Sequence, residues 1–325
     1  MKIKNLLMLL LLASIWGPSF LLIKIAVAEI PPMLLAAMRI AIAAITLFMV
    51  LKFKKEKLSR NLRFWKHVAI AGLFAHAIPF TLFNWGELYI DSALASVLNG
   101  LTPLFTILIA HFTLKEERLT LAKTIGTVTG FLGLIVLLYP NMISTENGQL
   151  LGAFAIGLAA LSYAVAIVYA KINLVNARPL QAPASQLIIT AIYLLPVALL
   201  IDTPSTWTTI SWPALTAVLI LGVVGTGAAF VIYYRLLASA GASYLSLSVY
   251  VVPVYGIVLG KVFLNESLTI YGIIGTIIIL AGLLLANSSL RWLQKPKVNH
   301  LQQPDTKMDI CMESSTNCDA TLQKI

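Results

Sequence analysis

Apolar residues run along this chain in blocks of about 20, the length a helix needs to cross a bilayer, with short polar breaks between them. The blocks fall near 6–27, 33–51, 67–84, 91–113, 120–139, 150–170, 183–201, 212–234, 243–264 and 268–287. The pattern predicts an all-α polytopic membrane protein with ten transmembrane helices and no soluble domain. The opening "MKIKNLLMLLLLASIWG" has the basic end and apolar centre of a signal peptide. Its apolar run continues to Val27 without a clear small-x-small cleavage site, so it reads as an uncleaved first span.

The blocks repeat. "ALASVLNGLTPLFTILIAHFTLKEERLT" (93–120) is echoed by "SYLSLSVYVVPVYGIVLGKVFLNESLT" (243–269). Ser96 and Ser246, Pro103 and Pro253, Leu114 and Leu264, and Glu116 and Glu266 are each 150 positions apart. With one residue dropped, Gly126 and Gly133 then match Gly275 and Gly282. The expected division is 1–142 for a first repeat, 143–290 for a second, and 291–325 for a disordered cytoplasmic tail. Five spans per half is odd, so the second half enters the membrane inverted. Such halves suit a carrier that opens alternately to its two sides.

Polar residues inside the blocks mark an inward face. Ser92, Ser96, Asn99, Pro103 and Thr106 recur at helical steps in span four. Ser243, Ser246, Tyr250 and Pro253 do so in span nine. Against lipid such a stripe is costly, so it faces protein or water. A proline in a helix frees the carbonyl four residues back. Asn99 and Val249 are therefore expected to offer acceptors to a central cavity, with Pro103 and Pro253 as gating bends. The substrate contacts expected there are Asn99, Asn84, Tyr250, Trp16, Tyr163, Ser96 and Ser246. His76 sits at mid-depth in span three and is the candidate for proton coupling. Spans five and ten, with Gly126, Gly130, Gly133, Gly272, Gly275 and Gly282, read as packing scaffold. Glu116 and Glu266 read as structural acids near helix starts.

The net charge of +10 raises nucleic acid as a partner, but its distribution points elsewhere. All of the 23 lysines and arginines except Lys24, Arg39 and Lys261 fall in alternate connections or the tail. That asymmetry puts both termini in the cytoplasm and leaves Glu29, Glu87, Asp91, Glu146 and Asp202 outside. Lys24 and Arg39 are then expected as rim charges that meet a carboxylate or phosphate. The two cysteines, Cys311 and Cys318, stand in the tail and make a poor zinc site.

These residues bring a family into view. "SIWGPSFLLIK" (14–24), "PPMLLAAMRI" (31–40), "ALASVLNGLTPLF" (93–105), "KEERLT" (115–120) and "YYRLLASAGAS" (233–243) occur in an order and spacing that resembles the drug/metabolite transporter superfamily and its ten-span EamA-type permeases. The resemblance covers residues 6–287. It implies an inner-membrane secondary transporter, often an exporter, of small amino-acid-like or amphipathic metabolites. Many relatives carry Glu before the proline of span nine; here that position is Val252. The expected partners are a small-molecule substrate and the lipid bilayer, without nucleic acid, cofactor or metal. Pairing of two copies as a homodimer stays open. The alternatives are an intramembrane enzyme and a membrane sensor or scaffold. The chain offers no His-Glu-x-x-His, mid-membrane acid pair or Ser-His-Asp set for the first, and no output domain for the second; without a Walker loop, pumping must draw on an ion or substrate gradient.

Overall fold

A computed structural model of the chain describes residues 3–114, 119–143, 147–174, 177–178, 180–202, 210–240, 248–266 and 268–287. Ser246, Glu116, the side chain of Tyr250 and the tail with Cys311 and Cys318 lie outside the described residues.

Every described element is a helix. Eight are long and apolar enough to cross a membrane: Ile3–Val27, Pro32–Phe53, Leu62–Gly86, Ser92–Thr113, Leu121–Pro140, Gly148–Asn173, Gln181–Ile201 and Trp212–Leu236, spans one to eight. Two shorter apolar helices follow, Ser248–Leu264 and Ile270–Asn287, spans nine and ten. The ten spans form two halves of five.

The packing repeats with the sequence. Span two lies on seven, four on nine, and five on ten, so each equivalent pair meets itself. Span three packs on six and span one on eight, and exchanging the halves converts one of these pairs into the other. The closest pair is five and ten, as the glycine pattern predicts. A Cβ on Gly126 would run into the backbone of Gly282 and Ala286, so only glycine lets the helices approach this far. The opposite faces of these spans expose Ile125, Val128, Leu132, Ile135, Ile273, Ile277 and Leu284, as a lipid-facing surface does.

Two spans break where the sequence carries helix breakers. Span one divides into Ile3–Trp16 and Ser19–Val27 at Gly17 and Pro18. Span four divides into Ser92–Asn99 and Thr102–Thr113 around Gly100 and Leu101. Pro103 therefore stands in the first turn of a new helix, where a missing N–H costs nothing. The expected free carbonyl of Asn99 is not free: it accepts a hydrogen bond from Thr102 Oγ1 at 2.9 Å. Pro253 differs, lying inside the helix Ser248–Leu264.

Candidate functional site

Spans three and eight each contain one wide helical turn, at Leu73–Ala77 and Val223–Ala228. In both, an amide bonds five residues back: Ile78 N–H to the Leu73 carbonyl, and Ala229 N–H to that of Val224. Such π turns recur at functional sites because they redirect side chains and loosen the backbone ladder. Here they occupy equivalent places in the two halves. His76 stands in the first, Thr226 in the second, and Phe80 and Phe230 follow one turn later in each. Ser162 of span six steadies the first turn, donating its hydroxyl to the Phe74 carbonyl at 2.8 Å.

Arg39 joins the two turns. The sequence places it at a rim; the structure buries it, with 7% of its surface exposed. Its Nε donates to Thr226 Oγ1 at 2.9 Å, and the Thr226 hydroxyl donates onward to the Leu221 carbonyl. The guanidinium carbon lies 4.1 Å from the centroid of the Phe80 ring. This cation–π contact replaces part of the lost hydration. No described carboxylate is bonded to Arg39, and its two terminal nitrogens make no hydrogen bond among the described residues while still reaching accessible space. The charge is held in place but not neutralised.

Aromatic side chains surround it. The His76 ring lies edge-on to Phe80 and to Phe230, with centroids 5.6 Å away in each case. Neither His76 nitrogen has a partner among the described residues, although the buried Gln186 lies alongside. Phe230 continues to Tyr233 and Tyr234, and Tyr233 to Trp16 at 6.0 Å. Tyr163 of span six faces Phe83 at 5.9 Å and is close enough to Arg39 to feel its charge. A fixed cation, a buried and unpaired imidazole and a belt of rings can together hold an anionic head on an apolar body. A cavity of about 440 Å³ beside Lys261 and Glu266 contains none of these residues.

The other expected site residues have different surroundings. Asn84 is fully buried and donates Nδ2 to the Pro32 carbonyl at 2.9 Å, tying span three to the start of span two. Ser96 bonds the Ala93 carbonyl and packs against Gly256, inside the contact of spans four and nine. Asn99 is half-buried, and its amide bonds no described residue. Lys24 is no free rim charge: its Nζ donates to the Glu87 carbonyl at 2.6 Å and the Ile90 carbonyl at 2.8 Å. There it caps the C-terminal end of span three, where a cation is favoured. Phe80 and Phe230 were missed as site residues. Extending the spacing of Pro103 and Pro253 to His76 and Phe80 would have found them.

The connections carrying Glu29, Glu87, Asp91, Asp202 and Glu266 form one acidic end of the bundle. Three of these acids clasp a helix start in the opposite half. Glu29 accepts from Ser211 N–H at 2.6 Å and Ser211 Oγ at 2.7 Å. Asp202 Oδ2 accepts from Leu34 N–H at 3.0 Å. Glu266 accepts from Ser92 N–H and Oγ, both at 2.9 Å, and from Ala93 N–H at 3.0 Å. Each satisfies amides that a helix start leaves unpaired, and each sits at the positive end of a helix dipole. Glu266, expected as a structural acid near the start of its own span ten, caps the start of span four instead. Backbone and hydroxyl donors from Ser211 hold the exposed Glu29 carboxyl below its usual range.

The arrangement has known counterparts. Residues 3–139 and 150–288 each match the EamA-like transporter family. The chain is 30% identical over 285 residues to the uncharacterized transporter YoaV of Bacillus subtilis (strain 168), covering 87% of this chain and 96% of that one. It is 26% identical over 302 residues to a probable amino-acid metabolite efflux pump of Escherichia coli (strain K12), covering 89% and 96%. A solved crystal structure, 22% identical, superposes with a TM-score of 0.65 over 91% of this chain and all of the other, and shares the fold.

Proposed function

Because the chain belongs to the EamA-like transporter family, a family of transporters and not of enzymes, we propose that this membrane transporter is a secondary carrier exporting small metabolites that join a carboxylate to an apolar or aromatic body. The observation that carries this is Arg39: a buried guanidinium, stacked on Phe80 and anchored by Thr226, with its terminal nitrogens open. Guanidinium recognises carboxylate through two parallel hydrogen bonds. His76 offers a donor and an acceptor while neutral, and it is the group beside Arg39 able to take up a proton with the substrate. Trp16, Tyr163, Phe230 and Tyr233 receive the apolar body. Asn99 supplies a further polar contact at the break in span four. The similarity to a probable amino-acid metabolite efflux pump supports both the substrate class and the outward direction.

The two halves, with boundaries at 1–142 and 143–290, rock about this centre. Pro253 and the break before Pro103 serve as bends. The lysine and arginine asymmetry orients the acidic end outward, with both termini on the cytoplasmic side of the inner (plasma) membrane. In that orientation the clasped acidic end is the closed outer side, and the Arg39 centre is reached from the inner side.

Purified protein in proteoliposomes tests the reading. Aromatic and branched amino acids, their decarboxylated amines and their amides are offered as competitors for binding. The acids should compete and the analogues lacking a carboxylate should not. Equal competition by amine and acid would remove Arg39 from the substrate site.

A further inference from the structure

Glu87 is the one acid at the acidic end that is both fully buried and without a hydrogen-bond partner among the described residues. Its neighbours in the fold make the contrast sharp. Glu29, Asp202 and Glu266 are each held as carboxylates by backbone N–H donors. Neither oxygen of Glu87 meets a donor among the described residues. A carboxylate removed from water without donors is far less stable than the neutral acid.

The charged groups around it do not change this balance. Lys24 of span one has the largest effect among them, but its ammonium bonds the carbonyls of Glu87 and Ile90 rather than the carboxyl, and its attraction is outweighed by burial. Glu266, across the interface, repels a second negative charge, and Arg39 of span two attracts it from farther off. Asp91, one turn on, shares the influence of Lys24 and Glu266. Burial dominates these influences and pushes the Glu87 carboxyl well above its usual range.

We propose that Glu87 is a proton-binding residue of this carrier, holding a proton while the acidic end is closed and releasing it when that end opens. This rests on the alternating-access reading above. The clasps explain the linkage. All three join the two halves, so the acidic end opens only when they part. The connection 87–91 lies between the ends of spans three and four, and Ser92 is itself gripped by Glu266. Parting there admits water to Glu87, whose carboxyl then returns to its ordinary range. Closing the end requires one proton to be taken up.

The sign follows. The closed state has the higher proton affinity. At pH below the ordinary carboxylate value both states are protonated, and closure carries no pH cost. As pH rises above that value the open state loses its proton first, and closure is progressively disfavoured. Acid on this side therefore holds the carrier shut there.

The test needs no substrate, so it stands apart from the competition assay. Ile30, buried at the acidic end, is replaced by Cys in a chain whose Cys311 and Cys318 are serine. Labelling by a membrane-impermeant maleimide is followed from about pH 5 to about pH 9 in proteoliposomes, corrected for the reagent's own pH dependence on the unfolded chain. The corrected rate should rise with pH. With Glu87→Gln, which fixes the neutral form, it should stay low and flat. An unchanged pH profile in Glu87→Gln would assign the titration to another group, such as His76, and overturn the proposal. A flat profile in the parent would do the same. Infrared spectra of the unmutated protein near neutral pH add a variant-free check. A protonated carboxyl band should be present, and its absence overturns the proposal even if Glu87→Gln fails to fold.

Discussion

His76 and Thr226 occupy the same point in two π turns on opposite halves, and Arg39 is hydrogen-bonded to one while sharing the ring of Phe80 with the other. The internal symmetry therefore converges on a single asymmetric cation. A repeat alone would place two like residues across the axis. Here an imidazole faces a hydroxyl, and only the hydroxyl bonds the arginine.

Replacing Arg39 by Lys should keep the charge and lose the activity. An ammonium cannot bond Thr226 through Nε while lying flat on Phe80 and presenting a paired fork. Initial export rates in proteoliposomes should fall by about tenfold or more, a change of about 1.4 kcal/mol in transition-state energy. Rates close to the parent's would mean that a point charge suffices.

Thr226→Val removes the hydroxyl that both anchors Arg39 and satisfies the Leu221 carbonyl. A hydrogen bond to a buried charge contributes about 1.5–3 kcal/mol. Thermal unfolding followed by tryptophan fluorescence should shift downward accordingly, whereas Thr226→Ser, which keeps the hydroxyl, should restore most of the loss. If Val and Ser behave alike, the bond is not formed in the protein in solution.

The Glu29 clasp should weaken only in acid. Its carboxyl is held below the usual range by Ser211, so its contribution to closure is present above the ordinary carboxylate value and is lost as pH falls through the lowered one. Glu29→Gln should therefore mimic strongly acidic conditions at every pH, raising access through the neutral and alkaline range and converging with the parent only in strong acid. Maleimide access to a cysteine at position 30 reports this directly, and a Glu29→Gln effect that vanished above neutrality would contradict the assignment.

The two prolines should not be equivalent. Pro103 begins a helix, so Pro103→Ala should cost little stability. Pro253 is inside a helix, and Pro253→Ala supplies a backbone donor that the present ladder lacks. Turnover should drop more for Pro253→Ala than for Pro103→Ala, with both inserting normally. The reverse order would place the moving bend in span four.

Much of the architecture was legible because its signals are additive along the chain. Apolar blocks gave the spans, and the paired prolines, acids and glycines gave the two halves. Gly126, Gly275 and Gly282 announced the contact of spans five and ten through the one property a glycine shows in sequence, its lack of a side chain. The site was legible only in part. Arg39, His76, Trp16 and Tyr163 were singled out by charge or aromaticity in an apolar setting. Phe80 and Phe230 look like any lipid-facing phenylalanine until the fold turns both toward His76. The rim role of Lys24 failed because sequence shows a charge and hides its partners: the acceptors are backbone carbonyls, which every residue carries. The free carbonyl of Asn99 failed for a related reason, since Thr102, three residues on, was already in place to bond it.

The three clasps have a consequence for how this protein tolerates change. In each, the indispensable donors include main-chain N–H groups, at Leu34, at Ser92 and Ala93, and at Ser211. Any residue but proline offers the same group at those positions. Mutational drift is thus constrained on one side of each contact and nearly free on the other. Scans of all substitutions should find Glu29, Asp202 and Glu266 sensitive, with Leu34 and Ala93 limited by size and by proline rather than by chemistry. Methods that look for paired substitutions would find side-chain partners only at Ser211 and Ser92, and none for Asp202, although each acid is bonded across the interface.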